Sequence, residues 1–229
     1  MSTSATTREI AIDVGGRSGE VEGLLQIPPR ASHLLVFAHG AGAGMRHAFM
    51  ESAAAALGAQ GIATLRYQFP YVEQGGKRPD APKLAQATVR AAVAEAAKLM
   101  PKLALIAGGK SFGGRMTSQA QAEAPLAGVR GLAFLGFPLH AAGRPSEERA
   151  AHLFEVKIPM LFLQGTRDAL ADVALMRKLA KALGKRATLI AIADGDHSFH
   201  VPARTGRKDA DVRGELLDAL AGWIEDLVG

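Results

Sequence analysis

A chain of 229 residues and 23.9 kDa with 48% hydrophobic content can bury a sizeable core, while 5% aromatic content is too little for a base-stacking surface. With no cysteine, disulfides, thiolate metal sites and a thiol nucleophile are excluded. The formal charge of +5 is dispersed among acids except near Arg204, Arg207 and Lys208, so it reads as a solvated surface and not as a nucleic-acid footprint.

From the start of the chain, Met1 to Arg8 is polar and lacks the apolar run of a signal peptide. No stretch approaches the roughly 18 apolar residues of a membrane span, and the expectation is a cytoplasmic protein with no membrane partner. Glu9–Val14 and Val21–Ile27 alternate in polarity around Gly15, Gly16 and Gly19, which predicts an antiparallel hairpin. Continuous apolar runs follow at Leu34–Ala38, Ile62–Tyr67, Leu103–Ala107, Leu132–Gly136, Met160–Gly165 and Thr188–Ala193, apolar on both faces as strands of a buried parallel sheet are.

Helical stripes separate them. Val89, Val93, Ala96 and Met100 form one, and Leu175, Met176, Leu179 and Leu183 another, with Asp172 as its cap. The last, Val212, Leu216, Leu220, Trp223, Ile224 and Leu227, starts at Asp209 as N-cap and reads as core, Trp223 included. Gln74–Pro82 reads as a flexible loop. With no long polar interruption, the pattern predicts one α/β domain over 1–229: a hairpin, then six strand–helix units, about eight strands with helices on both faces.

The chemistry sits at strand ends. Leu34–Ala38 runs into His39-Gly40-Ala41-Gly42-Ala43-Gly44, a loop bare enough for a backbone N–H to approach a reacting oxygen; Ala41 is the first choice and Gly42 the second. A dinucleotide fingerprint fails here at Met45. His39 reads as a loop anchor and His47 as helix surface or pocket rim.

Leu103–Ala107 runs into Gly108-Gly109-Lys110-Ser111-Phe112-Gly113, a G-x-S-x-G between strand and helix. A serine in such a turn needs small neighbours, and the N-terminus of the following helix favours negative charge beside it. Ser111 is thus the candidate nucleophile, and the Phe112 N–H the second oxyanion donor. A phosphate-binding loop ending at Gly109-Lys110-Ser111 needs glycine at 104, where Ala104 stands, so nucleotide hydrolysis is the weakest reading.

Asp168 follows Met160–Gly165 and is the candidate acid; His197, in the turn after Thr188–Ala193, is the candidate base, with His200 its rival. Asp194 and Asp196 shape that turn. Such a triad needs no metal and no organic cofactor. Tyr67–Tyr71 either lines an acyl pocket through Phe69 and Tyr71 or fixes the loop, and Phe137 in Gly136–His140 is equally open. Gly42 belongs to the same pocket. Lys110, Arg115 and the Arg204–Lys208 loop would favour an anionic ester or lactone.

Together Gly108–Met116, His39–Gly42, Arg66–Tyr71, Gly136–His140, Gly165–Asp168 and Asp196–Phe199 resemble the small dienelactone-hydrolase-like group of α/β-hydrolases from about residue 20 onward. That group includes a testis-expressed hydrolase-like protein and the hydrolase-like domain of a chromatin-complex subunit. The resemblance implies an α/β-hydrolase fold with little or no cap and a serine esterase acting on a small-molecule ester, thioester or lactone. A basic residue at Lys110 is shared with the group. Dienelactone hydrolase itself carries cysteine where this chain has Ser111, so its substrate is not implied. Because the chromatin-associated relative acts as a scaffold, a non-catalytic interaction module is the alternative. Whether the chain forms a homodimer stays open.

Overall fold

In a computed structural model that describes residues 5–227, the apolar runs form one eight-stranded sheet. Residues 1–4 and 228–229 lie outside the described residues, and with them the start of the polar Met1–Arg8 segment and both ends of the 1–229 span. The strands are β1 Thr6–Asp13, β2 Glu20–Ile27, β3 His33–Ala38, β4 Ile62–Tyr67, β5 Ala104–Lys110, β6 Val129–Leu135, β7 Met160–Gly165 and β8 Ala187–Ile192. The helices are α1 Ala48–Ala59, α2 Pro70–Glu73, α3 Pro82–Leu99, α4 Phe112–Glu123, α5 Val173–Leu183 and α6 Asp209–Asp226.

The strands lie in the order β1-β2-β4-β3-β5-β6-β7-β8. β2 runs antiparallel to β1 and β4, and all pairs from β4 to β8 are parallel. Parallel strands need crossovers, and the helices that supply them cover both faces. Alternation then divides one strand between two cores. Leu34, Val36 and Ala38 pack with residues of α3, α4 and α5, whereas Leu35 and Phe37 pack with α1 and α6. This is the α/β-hydrolase architecture.

Among the element ends that differ from the sequence expectation, two have clear physical reasons. β5 continues past Ala107 to Lys110, because Gly108 and Gly109 stay in the ladder with β3 and β6 despite offering no side chain to a hydrophobic pattern. Asp209 is not the N-cap of α6 but its first helical residue, and Lys208 is the cap. The Asp209 carboxylate is already engaged by His200 Nδ1 (2.5 Å) and the Val201 N–H (3.0 Å), and it is Asp211 that reaches back to accept the Lys208 N–H at 3.3 Å.

Asp172 does cap α5, accepting the N–H groups of Ala174 at 2.8 Å and Leu175 at 3.0 Å. Asp172→Ala is expected to cost about 1 kcal/mol of stability. Urea unfolding checks this, and an unchanged midpoint would show that the cap contributes nothing.

The β6–β7 connection contains only a short 3-10 segment, Glu148–Glu155, packed against α4, and so contributes no helical cap over the sheet. Among the described residues no helix is long and apolar enough to cross a membrane.

Candidate active site

Ser111 lies between β5 and α4 at φ +50° and ψ −114°, a left-handed conformation that a non-glycine residue adopts only when its surroundings enforce it. Its N–H donates to Leu135 O (3.1 Å) on β6, and its carbonyl accepts the Arg115 N–H (3.1 Å), the first bond of α4. The helix can turn back this tightly because Gly113 has no Cβ; one there would lie 2.5 Å from His39 O. The Phe112 N–H, at the start of α4, has no acceptor among the described residues.

Facing it is the loop after β3. His39 is fully buried; its Nδ1–H donates to Gly40 O at 2.8 Å and its Nε2 accepts the Phe69 N–H at 3.2 Å. The Gly42 N–H donates to Tyr71 Oη at 3.2 Å and is therefore spent on holding the loop. Ala41 N–H, by contrast, has no acceptor among the described residues. Between Ala41 and Gly42, the two donors weighed from the sequence, only the former is free to meet a ligand.

Burial pulls His39 down to about 4, with the bond to Gly40 opposing the shift, and pulls His152, which bonds Ser118 Oγ at 2.7 Å, down to about 4 as well. An unfolded histidine binds its proton near 6.5, so between that pH and about 4 the unfolded chain holds protons that the folded chain lacks. Stability contributed by these two neutral rings is therefore complete above 6.5 and falls as the pH drops toward 4. Denaturant unfolding at pH 7 and pH 4.5 should show this loss, reduced in His39→Gln; equal losses in both proteins would remove His39 from the account.

Asp168 and His197 come from the neighbouring strand ends. The Asp168 side chain is completely buried below β7, where Oδ2 accepts from Gln164 Nε2 (2.5 Å) and Oδ1 from the Leu170 N–H (2.7 Å). His197 Nδ1 lies 2.7 Å from Asp168 Oδ2, and its Nε2 lies 2.8 Å from Ser111 Oγ. Asp196 builds the turn by accepting the N–H groups of Ser198 (2.7 Å) and His200 (2.9 Å), and Asp194 bends it at φ +58°. His200 is turned away onto Asp209, which leaves His197 as the imidazole that reaches Ser111.

A cleft of about 480 Å³ opens on Ser111 and His197. Its apolar wall is Ala43, Ala48, Phe49 and Met50, and its polar rim is His47, His200 and Arg213. Gly42 lines it, but Phe69, Tyr71 and Phe137 do not. Phe69 lies beneath the loop, edge-on to His39 (5.0 Å) and Phe112 (5.3 Å), and Tyr71 is the acceptor for Gly42. Phe137 belongs to the core with Phe134 and Phe162.

The charge-based reading of the sequence is likewise redistributed. Arg207 pairs with Glu215, and neither Arg115 nor the Arg204–Lys208 loop lines the cleft. Lys110 does line the cleft, with its ammonium donating to the carbonyl of His197, and the guanidinium at the rim is that of Arg213.

Sequence reasoning passed over Gln164, Phe49 and Arg213. Gln164 carried a usable signal, a polar residue inside an otherwise apolar buried strand four positions before the acid. Among the described residues no group of three or more His, Asp or Glu side chains is placed to hold a metal ion.

A family model for the alpha/beta hydrolase domain matches residues 31–225. Among solved structures, the chain is similar to a serine hydrolase without a lid from Xanthomonas campestris, at 23% identity over 95% of each chain with a TM-score of 0.72. It is also similar to a dienelactone hydrolase from Anabaena variabilis, at 22% identity over 96% of this chain and 98% of that one, with a TM-score of 0.75. The esterase domain of a Rhodothermus marinus protein gives 16% identity over 98% and 100%, with a TM-score of 0.74.

Proposed function

Because the chain belongs to the alpha/beta hydrolase domain family, we propose that it is a serine hydrolase that cleaves a small ester, thioester or lactone through an acyl-enzyme on Ser111. One observation carries the reading: Ser111 Oγ, His197 and Asp168 form an unbroken line of two hydrogen bonds, 2.8 Å and 2.7 Å long.

In the first half-reaction His197 Nε2 takes the Ser111 hydroxyl proton as Oγ bonds to the acyl carbon. The carbonyl π pair becomes an oxyanion, which the N–H groups of Ala41 and Phe112 receive. Asp168 stays ionised and holds Nδ1–H, fixing the tautomer whose Nε2 is the acceptor and stabilising the imidazolium. Collapse expels the alkoxide or thiolate, which takes the proton from His197; a lactone's leaving oxygen stays tethered to the acyl group. Water then repeats the sequence, giving its proton to His197 and its oxygen to the acyl carbon, and releases the acid with Ser111 restored.

The cleft volume suits a small acyl group with the remainder of the molecule in solvent. Labelling by a fluorophosphonate tests the assignment, followed by turnover of p-nitrophenyl esters of increasing chain length. Stoichiometric labelling at Ser111 with ester turnover supports it. No labelling and no turnover would overturn it in favour of a non-catalytic interaction module.

A further inference from the structure

We propose that Lys110 is a positioning residue that holds His197 in line with Ser111 by donating its ammonium to the His197 main-chain carbonyl; the inference rests on the serine hydrolase reading.

Lys110 precedes Ser111 in the chain, yet its Nζ reaches the loop after β8 and lies 2.6 Å from His197 O. The path is kept clear by Gly136, at φ +67°, where a Cβ would sit 2.9 Å from Nζ and 3.5 Å from His197 Cε1. The same vacant volume therefore touches both the ammonium and the imidazole. Nζ also lies 5.4 Å from the centre of the Phe199 ring, and Phe199 is held at φ +65°. The β8 loop is thus gripped on a carbonyl and an aromatic face by the residue next to the nucleophile. Ser111 and His197 are coupled through Lys110 as well as through their own hydrogen bond.

Nothing in the packing requires a charge here. The groups facing the ammonium are His197, Asp196 and Phe199 on the β8 loop, Asp168 on the β7 loop, and Gly136 on the β6 loop. Among the described residues neither carboxylate forms an ion pair with it, so the charge is desolvated with a neutral carbonyl as its hydrogen-bond partner. Burial pulls the ammonium down to about 8, and Asp168 and Asp196 oppose the shift. A methionine would fill the same space without that penalty. A costly buried charge beside a general base is explained by what it positions.

Two opposite pH dependences follow. Above about 8 the folded chain loses this proton and the hold on His197 weakens, so turnover falls. The unfolded lysine keeps its proton to about 10.5, so between the two values unfolding takes up a proton and the Lys110 contribution makes the fold more stable as the pH rises.

The test compares wild type, Lys110→Met and Lys110→Arg by p-nitrophenyl acetate turnover, fluorophosphonate labelling rate and thermal midpoint from pH 6 to 9.5. Lys110→Met should lower kcat by roughly tenfold to a hundredfold, as a displaced reacting group does, with little change in KM and an equal or higher midpoint. It should also lose the alkaline fall near 8. Lys110→Arg, if active, should carry that fall beyond the tested range. Wild-type kcat and pH profile in Lys110→Met would overturn the proposal, as would a lowered midpoint with the alkaline fall intact. Should Lys110→Met fail to fold, a flat wild-type labelling profile through pH 8 would overturn it and a falling one support it. Absence of both labelling and turnover in wild type would instead overturn the hydrolase reading itself.

Discussion

Ser111→Ala is expected to lower kcat for an activated ester by about a millionfold while leaving the thermal midpoint nearly unchanged. The size of the effect follows from the line Ser111–His197–Asp168: with Oγ gone, His197 has no hydroxyl to deprotonate and the Ala41 and Phe112 N–H groups no oxyanion to receive. Removing the whole pathway costs as much as removing any group that is indispensable to it. Asp168→Asn should cost about ten-thousandfold, because an amide at that position favours the wrong imidazole tautomer. Steady-state kinetics with active-site titration checks both. A Ser111→Ala residual within a hundredfold of wild type would place the nucleophile elsewhere.

The largest expected effect on the fold comes from Gly108→Ala. Gly108 pairs with Ala133 across β5 and β6, and a Cβ there would lie 2.0 Å from Ala133 O. The obstacle is backbone of a central strand, so relief requires moving the sheet itself and not a side chain. Such a change should cost about 3 kcal/mol or more. For a chain of this size that lowers the thermal midpoint by roughly 6–12 °C. Gly214→Ala and Gly222→Ala are the controls, since a Cβ at either position of α6 meets nothing within 4 Å. Both should be neutral or stabilising by up to about 1 kcal/mol. Calorimetry of the three variants checks the ranking. Equal midpoints for Gly108→Ala and wild type would show that β5 and β6 separate freely at this point.

The sequence showed those parts of the molecule that depend on local chemistry. Continuous apolar runs revealed the strands because burial on both faces leaves few polar positions. Gly109-Lys110-Ser111-Phe112-Gly113 revealed the tight turn, because only small neighbours fit around a left-handed serine. What stayed hidden depends on which surfaces the fold brings together. Phe69 and Phe137 follow the carboxyl ends of β4 and β6, where sites form, but apolarity alone does not distinguish a ring that lines a cleft from one lying beneath its wall. Met50, Phe49 and Arg213 reach the cleft only because α1 and α6 pack on the same face. Asp209 had the composition of a cap, yet its carboxylate was claimed by His200 and Val201. Lys110 was legible as a cation of the cleft, but its bond to the His197 carbonyl past the space at Gly136 was not, because that contact joins two distant loops.

The β1–β2 hairpin joins the remaining sheet along a short seam: β2 pairs with β4 over Gly23–Gln26, while β1 and β2 pair with each other over eight residues. Beyond that seam it is tied by Gln68 N–H to Glu22 O, Glu22 N–H to a Glu73 carboxylate, Gln26 Nε2 to Ala54 O (2.9 Å), the exposed Arg46 pairs with Glu9 and Glu22, which contribute little individually, and the buried side chains of Ile12, Val21 and Leu25 in the core. As the edge element of the sheet, the hairpin is where fraying is expected to begin, at the margin farthest from the loops that carry Asp168 and His197 and at the cost of exposing those core side chains. Peptide groups buried between β3, β5 and β6 are released only when the whole molecule opens.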